Sequence, residues 1–174
     1  MSATRVAVVL GLLASAACAR SGGPPSAAEE NREVAIYAAV VRHMASEEGQ
    51  SSGFRVIYLL DRVVENADDP DDPGAGEPFP EEDKAALSKA LDGVAPVEFV
   101  PSRADVIGPA EDGGRVENQG ILLTLGRIAG EEDRALVPAS SYLANLAGTW
   151  QTWVVEPSDD GWRVTGTEGP VAIS

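Results

Sequence analysis

Hydrophobic residues recur at helical spacing in the segment that follows residue 26. Apolar side chains return every three or four positions from Val34 to Met44, which predicts a helix with one buried face. Ser26 and Glu29 have the spacing of a capping box, so the helix is expected to begin there. Gly49 is placed to end it.

A second, shorter helix is predicted directly after Pro80. Acidic residues fill its first turn, where they stabilise the positive end of the helix dipole. Leu87 and Leu91 lie on one side of this helix, and Gly93 follows at its end. Both helices are therefore expected to cover a sheet with their apolar faces.

Runs of β-branched and aromatic residues predict the strands. The first run, 54–60, is apolar throughout and extends toward Val64, which indicates a well-buried strand. A short strand is predicted at 97–100, and the following stretch, 101–118, has no regular pattern beyond one helical turn. Four further runs are separated by turn sequences and cover 121–128, 135–143, 149–156 and 162–167.

The four C-terminal runs have short connections, so they are expected to be antiparallel neighbours. Pro138 weakens the run at 135–143 and predicts an edge strand or a partly irregular segment there. The predicted fold class is therefore α+β, with two helices packed on one face of a curved, mainly antiparallel sheet of about five to six strands.

The run at 149–156 is apolar on both sides, because Trp150 and Trp153 point in opposite directions along a strand. Such a strand is covered on both faces or lines a pocket in a bent sheet. The aromatic and cationic residues near it are the predicted ligand-binding candidates: Tyr142, Trp150, Trp153 and Arg163.

An acidic loop is predicted at 67–80, where aspartate, proline and glycine alternate and no packed element is expected. Asp69, Asp71 and Gly74 match positions one, three and six of a calcium loop of the EF-hand type. Prolines occupy positions five and twelve, which require side-chain oxygens, so no metal site is predicted. The carboxylates that remain as calcium candidates are Asp69, Asp71, Asp72 and Glu77.

Composition excludes several classes of function. The chain of 174 residues has a formal net charge of −15, which disfavours nucleic acid and anionic lipid as partners of the folded part. One cysteine and one histidine cannot form a zinc site of the usual kind, and no cofactor-binding motif is present.

His43 is interpreted as a helix residue near the negative end of the dipole, and Ser140 and Ser141 lack the surroundings of a nucleophile. No catalytic residue is predicted.

The N-terminal segment, 1–17, has the three parts of a secretory signal peptide: a positive start, an apolar stretch and a small-residue cleavage region. The apolar stretch is too short to span a bilayer. Its end at Cys18 resembles the lipobox of bacterial lipoproteins, although Ser15 stands where that family usually has leucine. The resemblance implies cleavage before Cys18 and a diacylglycerol on its thiol. Residues 18–28 would then form a lipidated start and tether, and 29–174 one domain.

A second interpretation of the leader remains open. Ala14 and Ala16 also form an ordinary A-x-A cleavage site, which would release a secreted protein with a free Cys18 thiol.

In the C-terminal half, the closing hairpin with its three tryptophans resembles the last hairpin of nuclear-transport-factor-like and cystatin-like domains, which implies a cone-shaped sheet.

The sequence thus predicts a lipid-anchored protein of the cell membrane, facing outside the cytoplasm, that binds a protein or small molecule and does not act as an enzyme. Simple secretion is the alternative location. Two alternative functions are an enzyme whose cavity holds His43, Tyr142 and an acid, and an interaction module that exposes Trp150 or Trp153.

Overall fold

The computed structural model describes residues 27–48, 53–70, 72 and 74–174. The predicted leader, Cys18 and the first residues of the tether lie outside this part of the chain, as do Ser26, Gly49 and Asp71. The described residues form two helices, α1 Ala27–Glu48 and α2 Glu81–Ala90, and eight strands, β1 Ile57–Val64, β2 Gly76–Glu77, β3 Val97–Val100, β4 Ile121–Gly126, β5 Ala129–Glu131, β6 Arg134–Ala144, β7 Ala147–Ser158 and β8 Gly161–Ile173.

Both helices form where the apolar spacing predicts them, and both pack on the same face of the sheet. Val40 and Val41 of α1 and Leu87 of α2 are buried in one core with the strands. The Arg42 guanidinium donates a hydrogen bond to the carbonyl of Ala90, which ties the two helices together. None of the helices in the described part of the chain is long and apolar enough to cross a bilayer.

The strands form one mainly antiparallel sheet in the order β2-β1-β4-β6-β7-β8. Strand β3 pairs with β1 along the edge that β2 also occupies, and β5 pairs with β6 beyond the end of β4. Strand β1 runs parallel to both β3 and β4, and the other pairs are antiparallel. The α+β class is confirmed, but eight described strands replace the predicted five to six. The two additions, β2 and β5, are only 2 and 3 residues long and lie in segments predicted as loops.

The prediction for Pro138 is wrong, because β6 lies inside the sheet between β4 and β7. Two short strands share one side of β6: β4 pairs with residues 139–142 and β5 with residues 134–136. Pro138 falls in the gap between them, where the ladder on that side is already interrupted. A proline therefore fits this interior strand at little cost in hydrogen bonds.

The prediction of a solvated loop at 67–80 is wrong at both ends of the loop. Ala67 is buried, and Phe79 is only 5% exposed. The Phe79 ring lies between the rings of Tyr37 and Phe99, with both pairs of centroids 5.7 Å apart and packed edge to face. The polar middle of the loop is thus held by apolar anchors at its two ends.

The face of the sheet turned away from α1 and α2, here called the second face, is also apolar. Tyr58 and Leu122 are buried on it together with residues of the segment 101–119. That segment contains three single turns of 3-10 helix instead of the one helical turn predicted. Irregular chain therefore covers part of the face that the helices leave open.

The hydroxyl of Tyr37 provides a test of the core between α1 and β4. It is buried and donates a hydrogen bond to the carbonyl of Gly126 at 3.1 Å. Burial, and then the nearby Glu33, raise the pKa of this hydroxyl above its ordinary value. The unfolded chain therefore loses this proton first, and the free energy of unfolding falls as the pH rises beyond about 10.

We expect Tyr37→Phe to lower the free energy of unfolding by about 1 kcal/mol at neutral pH, because one hydrogen bond is lost. We also expect the wild type to lose more stability than the variant between about pH 8 and about pH 11. Urea unfolding of both proteins across this range measures the difference. Equal losses in the two proteins would contradict the buried, neutral hydroxyl.

Candidate ligand pocket

A cavity of about 400 Å³ opens on the second face, between the acidic loop and the start of the segment 101–119. It is called the loop pocket below. Its volume lies within the range of small-molecule sites. The residues that line it are Leu60, Arg62, Val64, Ala67, Asp69, Pro70, Gly74, Pro101, Ser102, Arg103, Thr124, Ser140 and Trp150.

The floor of the loop pocket is a row of three residues on neighbouring strands. Thr124 of β4 pairs with Ser140 of β6, and Ser140 pairs with Trp150 of β7. Cross-strand partners point to the same face, so two hydroxyls and an indole stand side by side under the cavity. The Thr124 and Ser140 residues are each 7% exposed, which leaves them accessible only from the pocket side.

A bulge in β1 forms the back of the loop pocket. Leu59 pairs with Leu123 and Val63 with Leu125, so three residues of β1 stand opposite the single Thr124. Two of these three, Leu60 and Arg62, line the cavity. The irregular pairing thus brings a cationic residue to the edge of an otherwise apolar surface.

The segment 101–119 forms the first wall and is fastened to the sheet by two tyrosines. The Tyr142 hydroxyl lies 3.0 Å from the carbonyl oxygen of Gly114 and 2.9 Å from Oδ1 of Asn145. The Tyr58 hydroxyl accepts a hydrogen bond from the Asn118 amide at 2.8 Å. These bonds hold the wall on the second face by groups that combine an apolar ring with a polar tip.

The acidic loop forms the opposite wall and is fastened to β7 by one hydrogen bond. The Thr152 hydroxyl donates to the carboxylate of Asp68 at 2.6 Å. A turn within the loop is closed by the Asp69 carboxylate, which accepts a hydrogen bond from the Asp72 amide at 3.2 Å. Asp68 is therefore held against the second face of the sheet.

Gly148 sets the position of the Trp150 indole. A Cβ atom at residue 148 would lie 2.5 Å from Cη2 of Trp150, which is far below any real contact. Because residues two apart on a strand share a face, the indole folds back over the place where another residue type would carry a side chain. Trp150 is 8% exposed and presents part of its ring to the loop pocket.

The loop pocket contains two cationic side chains and one acidic side chain. The Arg62 guanidinium donates to the carbonyl of Pro101 at 3.2 Å, and Cζ of Arg103 lies 5.1 Å from the centre of the Tyr142 ring. Asp69 is the one carboxylate among the described lining residues. Within the described part of the chain, no carboxylate lies within salt-bridge distance of either arginine.

Two of the four ligand-binding candidates lie at or beside the loop pocket. Trp150 is on its floor, and Tyr142 lies under Arg103. Trp153 is on the helix face, where its ring meets that of His43 edge to face at 4.7 Å, and it is only 4% exposed. Arg163 of β8 lies opposite Glu156 of β7, in an exposed position outside the residues that line the cavity.

The arrangement separates the groups on which the alternative functions depend. His43 lies on the helix face and Tyr142 on the second face, so the sheet stands between them and they share no cavity. Trp150 and Trp153 are both buried, so neither offers a broad exposed face to a protein. Ser140 is on the pocket floor, and Ser141 points to the helix side of the sheet.

The calcium candidates do not converge within the described residues. The Asp72 carboxylate accepts a hydrogen bond from the Gly74 amide at 3.1 Å, and Glu77 lies 3.5 Å from the Arg127 guanidinium. In the part of the chain that the structure describes, no three histidine, cysteine or acidic side chains form a group that could hold a metal ion.

No family model, curated protein or solved structure matches this chain in the comparisons with known proteins. The loop pocket therefore has to be interpreted from its own residues.

Sequence reasoning missed Arg62, Arg103 and Thr124 as pocket residues. One local signal was present: Asp61 and Arg62 interrupt an apolar strand, and charged residues in a buried strand require a specific environment. Asp61 meets Lys84 of α2 at 2.7 Å, while Arg62 turns to the other face. Arg103 gave no such signal, because it lies in irregular chain.

The bond between Thr152 and Asp68 can be tested separately from any ligand. Asp68→Ala should loosen the acidic loop near β7, because the hydrogen bond from the Thr152 hydroxyl is lost. We expect the amide groups of residues 65–70 to exchange with solvent faster and the free energy of unfolding to fall by about 1.5 kcal/mol.

Asp160→Ala is the matched control, because it removes the same charge from the exposed turn between β7 and β8. Hydrogen exchange followed by mass spectrometry measures both variants. If the loop exchanges equally in the two variants, the Asp68 carboxylate does not hold it.

Proposed function

We propose that the protein is a lipid-anchored binding protein of the cell membrane that faces outside the cytoplasm and holds a small ligand in the loop pocket. The proposal has two parts, an anchor and a binding domain, and each depends on a different observation. The anchor depends on the residues that lead up to Cys18, and the binding function depends on the cavity over Trp150.

Lipidation at Cys18 would supply membrane attachment without a spanning helix. Each buried CH₂ group contributes about 0.8 kcal/mol, so two or three acyl chains hold a protein stably on a bilayer. The tether, rich in glycine, serine and proline, would separate the acidic domain from anionic headgroups.

The loop pocket supports binding of a small molecule better than the two alternative functions. It combines a cavity of about 400 Å³, an indole on the floor and several polar side chains, which is the usual composition of a ligand site. The separation of His43 from Tyr142 disfavours the proposed enzyme cavity. The burial of Trp150 and Trp153 disfavours a protein-binding face built on either ring.

The anchor is tested by intact-mass analysis of detergent-extracted protein, with Cys18→Ala as the comparison. We expect the wild type to carry the mass of the acyl chains and to remain with the membrane fraction. The variant should lose both properties, because no thiol remains to accept the lipid. A wild-type protein with an unmodified thiol would disprove the anchor and favour simple secretion.

The binding function is tested with a fragment set that contains neutral, cationic and anionic molecules, followed by NMR of the indole N–H groups. We expect fragments to shift the Trp150 signal in the wild type. Ser140→Leu should abolish the shift, because the larger side chain enters the cavity from its floor. Trp150→Phe assigns the signal.

Thr165→Leu is the control, because it adds the same side chain at an exposed position of β8. Thermal unfolding shows whether each variant is folded. If no fragment of any charge shifts the Trp150 signal, the loop pocket is not a binding site.

A further inference from the structure

The described residues of the loop pocket include more cationic than acidic side chains, unlike the chain as a whole. The chain has a formal net charge of −15, with 28 acidic residues against 13 lysines and arginines. Among the described residues that line the cavity, there are two arginines and one aspartate. This ratio of arginine to aspartate distinguishes the described lining of the cavity from the composition of the whole chain.

Among the described residues, Lys84 and Arg134 have close carboxylate partners, whereas Arg42, like Arg62, binds a main-chain carbonyl. Lys84 contacts Asp61 at 2.7 Å and Glu81 at 2.8 Å. Arg134 contacts Glu168 at 2.6 Å. The hydrogen bonds to Asp61 and Glu81 raise the pKa of the Lys84 ammonium, and the hydrogen bond to Glu168 raises that of Arg134.

Within the described residues, the exposed Arg62 and Arg103 contact neutral groups and have no carboxylate at salt-bridge distance. The stem of Arg62 lies against Gly76 of β2, where a Cβ atom would approach its Cδ at 2.9 Å. Its guanidinium binds the neutral carbonyl of Pro101, two residues before Arg103. Arg103 lies over the Tyr142 ring. A carbonyl and an aromatic ring orient a guanidinium but do not neutralise it.

Oriented and uncompensated guanidiniums are the usual receptors for carboxylate and phosphate groups, because their N–H groups match two oxygen atoms at once. Thr124 and Ser140 offer hydroxyl groups from the floor, and Trp150 offers an apolar surface. An inorganic anion would contact the arginines and the hydroxyl groups but would make no use of the Trp150 ring.

We propose that the ligand of the loop pocket is a small organic oxyanion; this inference rests on the binding function proposed above. Its carboxylate or phosphate group binds Arg62 and Arg103, and its apolar body packs on Trp150. Asp69 on the opposite wall adds a second condition, because its charge excludes a further anionic group from that side.

The test compares four probes of one size by calorimetric titration: 2-naphthoate, 2-naphthyl phosphate, the neutral 2-naphthylmethanol and the cationic 2-naphthylmethylamine. We expect at least one of the two anions to bind roughly tenfold or more tightly than the alcohol, because a charge-assisted contact is added. The amine should bind more weakly than the alcohol. The difference between the two anions distinguishes a carboxylate from a phosphate ligand.

Arg62→Gln and Arg103→Gln should each weaken the binding of the preferred anion by roughly tenfold or more, with little effect on the alcohol. Arg163→Gln is the matched control, because it removes an exposed arginine on β8 outside the cavity. Thermal unfolding of the three variants verifies that the fold is retained. Arg103→Lys tests for the bidentate geometry, since it keeps the charge but loses the planar pair of donors.

The outcomes separate this inference from the function on which it rests. If the alcohol or the amine binds as tightly as the anions, and Ser140→Leu abolishes that binding, the loop pocket is a site but the oxyanion assignment is wrong. If Arg163→Gln weakens the anions as much as the pocket variants do, the effect is general charge and the assignment is again wrong. If no naphthyl probe binds although other fragments shift the Trp150 signal, the oxyanion assignment is wrong and the pocket remains a site; if no fragment shifts the signal either, both proposals are wrong.

Discussion

The sheet has to be covered on both faces, and this requirement organises the rest of the molecule. Tyr58 of β1 and Leu122 of β4 point away from the helices, yet both are buried. Two helices cover only one side, so the second side is covered by irregular chain. Apolar surface of this extent would otherwise remain in contact with water, at a cost of about 25 cal/mol per Å².

Irregular chain covers a sheet less completely than a helix does, because its own backbone groups need partners. In the segment 101–119, backbone groups find partners in tyrosine hydroxyls and strand carbonyls. For example, the Val116 amide donates to the carbonyl of Leu143 at 2.8 Å. The acidic loop uses the contact between Asp68 and Thr152. The loop pocket lies between these two covers and is lined by residues of both.

Strong local patterns were enough to predict both helices and the C-terminal strands, because amphipathic spacing and turn residues act over short distances. The alternation of Trp150 and Trp153 on β7 also anticipated a strand with two buried sides. Phe79 was not predictable in the same way, since it lies among polar and turn-forming residues and its partners come from α1 and β3. Pro138 misled the prediction because the gap between β4 and β5 exists only in the assembled sheet.

Only part of the candidate site could be predicted, because some of its residues come together only in the assembled sheet. Trp150 was found because a strand with two apolar sides is unusual, and Tyr142 because it lies beside that strand. Arg62 and Arg103 come together only through the bulge in β1 and the path of the segment that follows β3. The resemblance of the closing hairpin to cone-shaped domains stays a prediction.

The acidic residues of the domain and the two arginines of the loop pocket act on a bound anion over different distances. At physiological ionic strength, charges in water are screened over about 8 Å, so exposed acids elsewhere on the domain have little effect on a bound anion. The two arginines of the cavity would act at contact distance, through direct charge-assisted hydrogen bonds to the anion. An acidic domain can therefore remain soluble and be repelled by anionic headgroups while one site on its surface selects an oxyanion.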